Sequence, residues 1–197
     1  MYGWRHNTVL LTDRDGVNMK RSGKIAFSGM VSALCILCML VTGVFPYATY
    51  ALPAIAAVLL TSVVIEAGKR YALSAYVAVS VLSLILTPDI EAKLVFIVFL
   101  GYYPVLKAFF EGKYSRKIAL IMKVCSFNVT MIASYFVVIG IFRELAEEFV
   151  LFGVNLPIVF LFLGNIIFLL LDRGMDNMIG LYIQRLHPIV RRTFGKM

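Results

Sequence analysis

The side chains best suited to chemistry in this sequence are its three cysteines and two histidines. Cys35 and Cys38 have the Cys-x-x-Cys spacing of redox and metal motifs. Both of them and Cys125 lie within apolar runs, where a thiol behaves as a small hydrophobic group. No second Cys or His pair completes a site, and His6 and His187 lie near opposite ends of the chain. We therefore expect no metal site.

The signatures of enzymes are also missing. No Ser or Cys has a plausible His partner, and no Gly-rich phosphate loop of the P-loop type occurs. No pair of aspartates lies within an apolar run, which disfavours a small intramembrane enzyme that acts on lipids. We expect no catalytic residue, no cofactor and no enzymatic activity.

Uncharged polar side chains inside the apolar runs are the next candidates, because a polar group in hydrocarbon is costly unless it is paired. Asn128 and Tyr135 are seven residues apart, with Phe142 seven further on, so the three share one helix face. Asn165 lies in the last apolar run, ten residues after Asn155. Asn128 either bonds a neighbouring helix or lines a ligand cavity.

The run Gly101-Tyr102-Tyr103-Pro104 interrupts another apolar segment. Proline removes one backbone hydrogen bond, and in lipid that loss is tolerated only beside protein or water. The motif predicts a kinked helix that faces the interior of a bundle. Its two tyrosines either bond a ligand or a partner helix, or satisfy the carbonyls that Pro104 leaves free.

A stripe of small residues marks the first apolar run. Ser22, Ala26, Gly29 and Ala33 recur at steps of three and four residues, and small residues at this spacing let two helices approach closely. The stripe predicts a docking surface. Its partner is either another span of the same chain or a separate subunit.

The composition places all these residues in a membrane. The chain has 197 residues, of which 61% are hydrophobic and 15% charged, with a mean hydropathy of +0.89. Soluble domains average about 45–50% apolar and about 25% charged residues. Soluble enzymes, secreted disulfide scaffolds and nucleic-acid-binding proteins are therefore excluded, despite the net charge of +8. The sequence predicts an all-α membrane protein with about six transmembrane helices in one bundle.

Six apolar runs approach the length of about 20 residues that a membrane helix needs. They cover residues 25–45, 51–65, 71–87, 94–110, 118–142 and 149–171. The second, third and fourth runs are short. One of them is either a span with little tilt or a re-entrant segment.

Positive charge is distributed unevenly between the predicted loops. Six spans place sixteen Lys and Arg residues, Lys107 among them, on one side, and only Lys93 and Arg143 on the other. Positive loops stay in the cytoplasm during insertion, so both termini are predicted to be cytoplasmic. Lys123 lies about two turns inside the fifth run, where we expect it to snorkel towards the cytoplasmic interface.

Three regions follow from these spans: a cytoplasmic tail (residues 1–23), a transmembrane domain (residues 24–173) and a second cytoplasmic tail (residues 174–197). Residues 175–186 carry apolar side chains at helical spacing. They predict an amphipathic helix on the membrane surface that ends near His187-Pro188. The alternative is a solvated, partly frayed tail.

Several of these features form one pattern: the length, the six spans, the cytoplasmic termini, the small-residue stripe within residues 24–34 and the short aromatic loop after the first span. Together they resemble the substrate-binding S component of energy-coupling factor (ECF) transporters, a family of small bacterial membrane proteins. The resemblance is one of architecture over residues 19–173, without an invariant signature.

This resemblance implies a substrate-binding importer subunit in the bacterial inner membrane, in contact with membrane lipid and without an ATPase of its own. Its partners would be a transmembrane coupling subunit, docked on Ala26, Gly29 and Ala33, and ATP-binding subunits. The ligand pocket would lie near the outer face, closed by the loop after the first span. The candidate ligand-binding residues are Tyr47, Tyr50, Asp89, Glu91, Asn128, Tyr135 and Arg143. The histidine-rich start of metal-specific members is absent, which favours a small organic ligand such as a vitamin.

A second hypothesis remains beside the importer subunit. The chain is also similar in size and hydropathy to small scaffold or assembly proteins of the bacterial inner membrane. In that case the Gly-Tyr-Tyr-Pro kink and the basic tail would make contacts with protein partners. An outer cavity large enough for a vitamin favours the importer subunit, and a closed bundle with every polar side chain satisfied favours the scaffold.

Overall fold

The computed structural model describes residues 19–141, 150–151 and 154–194, which form a helical bundle. Its helices are α1 (Arg21–Val41), α2 (Ala51–Glu66), α3 (Lys69–Leu86), α4 (Ile90–Val95), α5 (Tyr103–Lys113), α6 (Arg116–Ile141), α7 (Leu156–Arg185) and α8 (His187–Phe194). A 3-10 turn (Pro46–Ala48) precedes α2, and a π-helical segment (Phe96–Leu100) joins α4 to α5. The β-structure among these residues is an antiparallel pair of two-residue strands, β1 (Val150–Leu151) and β2 (Val154–Asn155), and short turns and loops connect the helices.

Four helices of the described chain are long and apolar enough to cross a membrane. They are α1, α3, the continuous segment Ile90–Lys113 and residues Arg116–Val137 of α6. α2 has 16 residues, or about 24 Å at 1.5 Å per residue, against a hydrocarbon core of about 30 Å. The structure therefore supports an all-helical, membrane-embedded protein. The count of six spans, which also needs α2 and α7 to cross, stays a prediction.

α2 is the central helix of the bundle. A helix that is apolar all round is suited to burial on every side, and α2 buries Ala56, Ala57, Leu60, Val63 and Val64. α1, α3, α5 and α7 all pack against it. The burial explains how so short an apolar helix is held in the bundle.

α1 packs on α2 and α3 through one face only. Phe27, Val31, Cys35 and Met39 follow each other at four-residue steps, and all are buried. The Cys35 thiol lies 3.4 Å from the backbone oxygen of Ala56 on α2. Cys35 therefore acts as a small packing residue, as its apolar surroundings in the sequence predict.

The fourth span departs from regular α-helix where the sequence predicts a kink, through the π-helical segment and the start of α5. The Gly101 amide donates to the Phe96 oxygen at 2.7 Å, five residues back, which leaves the Ile97 carbonyl without its helical partner. The Tyr76 hydroxyl of α3 donates to that carbonyl at 2.7 Å. A Cβ at position 101 would lie 2.6 Å from the Tyr76 ring, so glycine is needed for this close approach.

The two tyrosines of the motif bond partner helices. The Tyr102 hydroxyl lies 2.9 Å from Thr130 Oγ1 on α6, and the Tyr103 hydroxyl donates to Asp172 Oδ1 on α7 at 2.6 Å. Of the roles that the sequence left open for these two tyrosines, the structure shows hydrogen bonds to neighbouring helices. The backbone carbonyl freed at the kink is satisfied from a third helix.

The two ends of the bundle differ in charge. The α2–α3 and α5–α6 turns lie at one end, which we term the basic end; it carries Lys69, Arg70, Lys113, Arg116 and Lys117. The first of these turns needs glycine at position 68, whose φ is +99°. At the opposite end, which we term the acidic end, the α1–α2 loop meets the α3–α4 turn.

The last long helix differs from its predicted bounds. It begins at Leu156 and not near residue 149, because β1 and β2 occupy the preceding residues. It then continues to Arg185, through the predicted domain boundary at residue 174, so residues 175–185 are not a separate surface helix. The predicted end near His187-Pro188 is confirmed by the turn at Leu186, after which α8 begins.

Candidate functional site

Charged side chains from three helices meet inside the bundle at its basic end. They are Lys107 and Glu111 on α5, Lys123 on α6, and Asp172 and Asp176 on α7. We term these five residues the charge cluster. Lys107 and Lys123 are each 2% exposed and Asp172 is 4% exposed, so the centre of the cluster is shielded from solvent and lipid.

Short contacts link every member of the charge cluster. Lys107 Nζ lies 3.1 Å from Glu111 and 2.9 Å from Asp176, and it also contacts Asp172 Oδ1. Lys123 Nζ lies 2.9 Å from Glu111 and 2.6 Å from Asp172 Oδ2. Asp172 thus binds both lysines, and the Tyr103 hydroxyl is its third partner. Isolated buried charges would be very costly, and this pairing compensates for their desolvation.

Helical spacing explains how the sequence builds the charge cluster. Tyr103, Lys107 and Glu111 are each four residues apart on α5, and Asp172 and Asp176 are four apart on α7. Residues at this spacing project from one helix face. Each of the two helices therefore presents these polar side chains to the other.

The three carboxylates of the cluster resemble a metal site in their spacing. Oxygens of Glu111, Asp172 and Asp176 lie within 4.8 Å of one another. However, Lys107 Nζ contacts all three residues and holds the position that a cation would need. The donor set therefore fits an internal ammonium ion rather than a metal, and the prediction of no metal site is retained.

Sequence reasoning missed the charge cluster and was wrong about one of its members. Lys123 was expected to snorkel out of the fifth span, but it is buried between Glu111 and Asp172. Lys107, near the end of the fourth apolar run, was counted with the cytoplasmic charges, and the structure buries it inside the bundle. The usable signal was the four-residue spacing of polar side chains on the two facing helices.

A second buried carboxylate ties the C-terminal segment to the bundle. Glu66, at the end of α2, is 1% exposed. Its Oε1 accepts a hydrogen bond from the Tyr182 hydroxyl at 3.0 Å and lies 2.7 Å from His187 Nδ1. These contacts hold the end of α7 and the start of α8 against the basic end.

Three of the predicted ligand-binding residues come together at the acidic end. The Tyr50 hydroxyl donates to Glu91 Oε2 at 3.1 Å, and the Thr49 hydroxyl donates to Asp89 Oδ2 at 2.8 Å. Asp89 Oδ1 also accepts from the amides of Glu91 and Ala92 at 3.0 and 3.1 Å, as the N-cap of α4. These contacts hold the α1–α2 loop beside the α3–α4 turn.

The same contacts shift two pKa values. The Asp89 carboxyl is partly desolvated, which raises its pKa, but hydrogen bonds from Ala92, Thr49 and Glu91 outweigh this and hold the pKa below its usual range. The hydrogen bond from Tyr50 to the Glu91 carboxylate raises the pKa of the tyrosine. The acidic end therefore carries an ionised aspartate and a neutral phenol.

The other predicted ligand-binding residues that the structure describes have different surroundings. Tyr47 is fully exposed, Tyr135 is half-buried on α6 beside Phe136, and Arg143 lies outside the described residues. Asn128 forms a reciprocal amide pair with Asn165, with both N···O distances 2.9 Å. Asn128 therefore has the first of its two predicted roles, a hydrogen bond to a neighbouring helix. The second role, lining a ligand cavity, stays a prediction.

The small-residue stripe faces away from the bundle. Ala26, Gly29 and Ala33 are exposed on α1, opposite its packed face. No atom lies within 4 Å of the position that a Cβ on Gly29 would take. Packing against another described span of the same chain is therefore ruled out, and the alternative of a separate subunit remains.

Comparisons with known proteins identify no relative. No family model, no curated protein and no solved structure matches the chain.

Proposed function

We propose that this chain is the membrane-embedded substrate-binding subunit of an importer, of the ECF kind that its sequence resembles. It would bind a small organic molecule at the acidic end and dock through α1 on a transmembrane coupling subunit. ATP-binding subunits would supply the energy, because the sequence carries no nucleotide-binding loop of the P-loop type. The proposal includes no catalytic step.

The observation that carries this proposal is the exposed small-residue face of α1. The opposite face of the helix is closely packed, so α1 is fixed in the bundle while Ala26, Gly29 and Ala33 point outward. Small side chains let a second helix approach to backbone contact distance, where van der Waals packing is strongest in a membrane. A helix of a separate subunit is suited to this face.

The arrangement at the acidic end also supports the proposal. Two side-chain hydrogen bonds connect the α1–α2 loop to the α3–α4 turn. The proposal requires this loop to open for a ligand to enter, and contacts at the end of a bundle are among those that open most readily. Tyr50 and Glu91, which are exposed in the structure, supply an aromatic ring and a carboxylate for such a ligand.

The docking part is tested by co-purification of the tagged full-length protein from cells that encode it. The variants Ala26→Leu and Ala33→Leu enlarge the stripe, and Ala78→Leu is the matched control, because Ala78 is a small exposed residue on α3. We expect the wild type and Ala78→Leu to retain a membrane partner together with an ATPase that carries a P-loop motif, and the stripe variants to lose both. Equal recovery of these partners with all variants, or no ATPase with the wild type, would contradict the proposal.

One set of observations favours the scaffold as the second candidate. The polar side chains between α5, α6 and α7 satisfy one another in the charge cluster and in the Asn128–Asn165 pair. These side chains need no ligand to complete their hydrogen bonds and ion pairs. The two functions are separated by the small-molecule content of the purified protein, since a scaffold would hold lipid alone.

A further inference from the structure

A cleft of about 760 Å³ opens at the basic end, beside the charge cluster. We term it the basic cleft. The α5–α6 turn and the first turns of α6 form one wall, and residues 166–173 of α7 form the other. It lies at the opposite end of the bundle from the residues proposed to bind the imported molecule.

The rim of the basic cleft carries three cations, Lys113, Arg116 and Arg173. All three are exposed, and none takes part in an ion pair between described residues. The two acidic residues in the lining, Glu111 and Asp172, are bound to the buried lysines. The rim therefore presents uncompensated positive charge.

Part of the lining of the basic cleft is apolar, and we term it the apolar wall. Leu120 of α6 and Ile166, Leu169 and Leu170 of α7 line it, with exposed fractions of 42%, 44%, 40% and 67%. These side chains belong to helices whose outer surfaces carry many other exposed apolar residues. The wall is thus continuous with the surface that faces hydrocarbon in a membrane.

We propose that the basic cleft binds an anionic phospholipid. Lys113, Arg116 and Arg173 bind its phosphate, and one acyl chain lies along the wall formed by Leu120, Ile166 and Leu169. Basic pockets between transmembrane helices at the interface recognise anionic headgroups in this way, and arginine suits phosphate through its paired donors. A soluble phosphate compound would use the cations but not the apolar wall.

The charge cluster gives this site a rigid base. Lys123 and Asp172 line the cleft and are at the same time bound to each other across α6 and α7. Glu111 and Lys123 similarly join α5 to α6. The three helices that form the cleft are therefore held together before a lipid binds, which limits the entropy lost on binding.

Binding is tested with the full-length protein in detergent by native mass spectrometry, with phosphatidylglycerol and phosphatidylcholine of equal chain length as probes. We expect the wild type to prefer phosphatidylglycerol. The double variant Arg116→Gln/Arg173→Gln should lose this preference by about fivefold for each cation removed, since a cation at a membrane surface contributes about that factor. The control is Arg70→Gln/Lys117→Gln, which removes two exposed cations of the same end outside the cleft lining.

Equal loss in the two double variants would overturn the proposal, because the preference would then reflect net charge and not the cleft. The variant Leu169→Trp tests the apolar wall without a change of charge, and it should weaken the binding of phosphatidylglycerol. A final arm adds inorganic phosphate. If phosphate displaces the lipid at low millimolar concentration while Leu169→Trp binds as the wild type does, the site is one for a soluble anion and the lipid proposal fails.

Discussion

Lys123 is the side chain on which the interior of the bundle most directly depends. It lies 2.6 Å from Asp172 and 2.9 Å from Glu111, in a position that is 2% exposed. Its removal leaves Glu111 and Asp172 to share the ammonium group of Lys107, so these carboxylates lose one of their two cations in a largely shielded site. Breaking a buried ion pair at one partner typically costs about 3–5 kcal/mol of folding free energy.

We therefore expect Lys123→Met to lower the free energy of unfolding by about 3 kcal/mol or more, as measured by denaturant titration in detergent. Lys117→Met is the matched control, because Lys117 is an exposed lysine on the same helix. It should change the stability by less than about 0.5 kcal/mol. Similar stability of the two variants would mean that the contacts of Lys123 do not hold α5, α6 and α7 together.

The contrast between Lys123 and Asn128 shows how much single residues reveal in the sequence. That polar groups in apolar runs must find partners was predictable, and a bond to a neighbouring helix was one of the two roles expected for Asn128. The partner of each group was not predictable, because partners lie far apart along the chain: Asp172 is 49 residues from Lys123. The hydropathy profile placed Lys107 near the end of an apolar run, where it was counted with the cytoplasmic charges, and gave no sign of its burial.

Among the helices, the kinked segment from Ile90 to Lys113 depends most on a contact from outside itself. The Tyr76 hydroxyl satisfies the Ile97 carbonyl that the π-helical segment frees. Tyr76→Phe keeps the ring but leaves this carbonyl unpaired, which should cost about 1–3 kcal/mol. Thermal unfolding in detergent measures the effect, and Tyr71→Phe, another partly buried tyrosine of α3, should be near neutral. If Tyr76→Phe is equally neutral, the kink is stable without this bond.

The start of α4 gives a pH-dependent prediction. Asp89 caps the helix and accepts a bond from Thr49, so Asp89→Ala should cost about 1 kcal/mol, while Asp89→Asn keeps a capping oxygen. Because the pKa of Asp89 is lowered in the folded protein, the contribution of its charge is complete above about pH 4 and is lost as the pH falls through the lowered pKa. The stability gap between the wild type and Asp89→Ala, measured by unfolding at several pH values, should narrow at acid pH. A constant gap would contradict the role of the carboxylate.

The helix bounds illustrate what periodicity and composition are able to predict. The bounds of α1, α3 and α6 lie close to those of the apolar runs that predicted them. A long, uninterrupted apolar run predicts one helix of similar length. The predicted start and length of α7 were wrong, because the strands β1 and β2 take part of its run and because Asp172 and Met175 are buried and carry the helix past the apolar stretch. Asp172 ended the predicted span, but in the structure it is packed inside.

For the whole molecule, the unequal ends of the bundle predict its orientation. Basic loops remain in the cytoplasm, so the basic end should face inward and the acidic end outward. To test this orientation, one cysteine is added at position 47 or 113 and its reaction with a membrane-impermeant thiol reagent is measured. The wild-type protein is the control for reaction of the native cysteines. We expect Tyr47→Cys to react in intact cells and Lys113→Cys to react only after permeabilisation. The reverse pattern would contradict the predicted topology.

Binding of a small organic molecule at the acidic end is tested by mass spectrometry of the compounds released from the purified full-length protein. We expect one organic compound other than lipid, in roughly equimolar amount with the wild type, and much less with Tyr50→Phe/Glu91→Gln. Tyr71→Phe should retain it. Recovery of lipid and detergent alone from folded wild-type protein would contradict the claim and leave the scaffold as the better account.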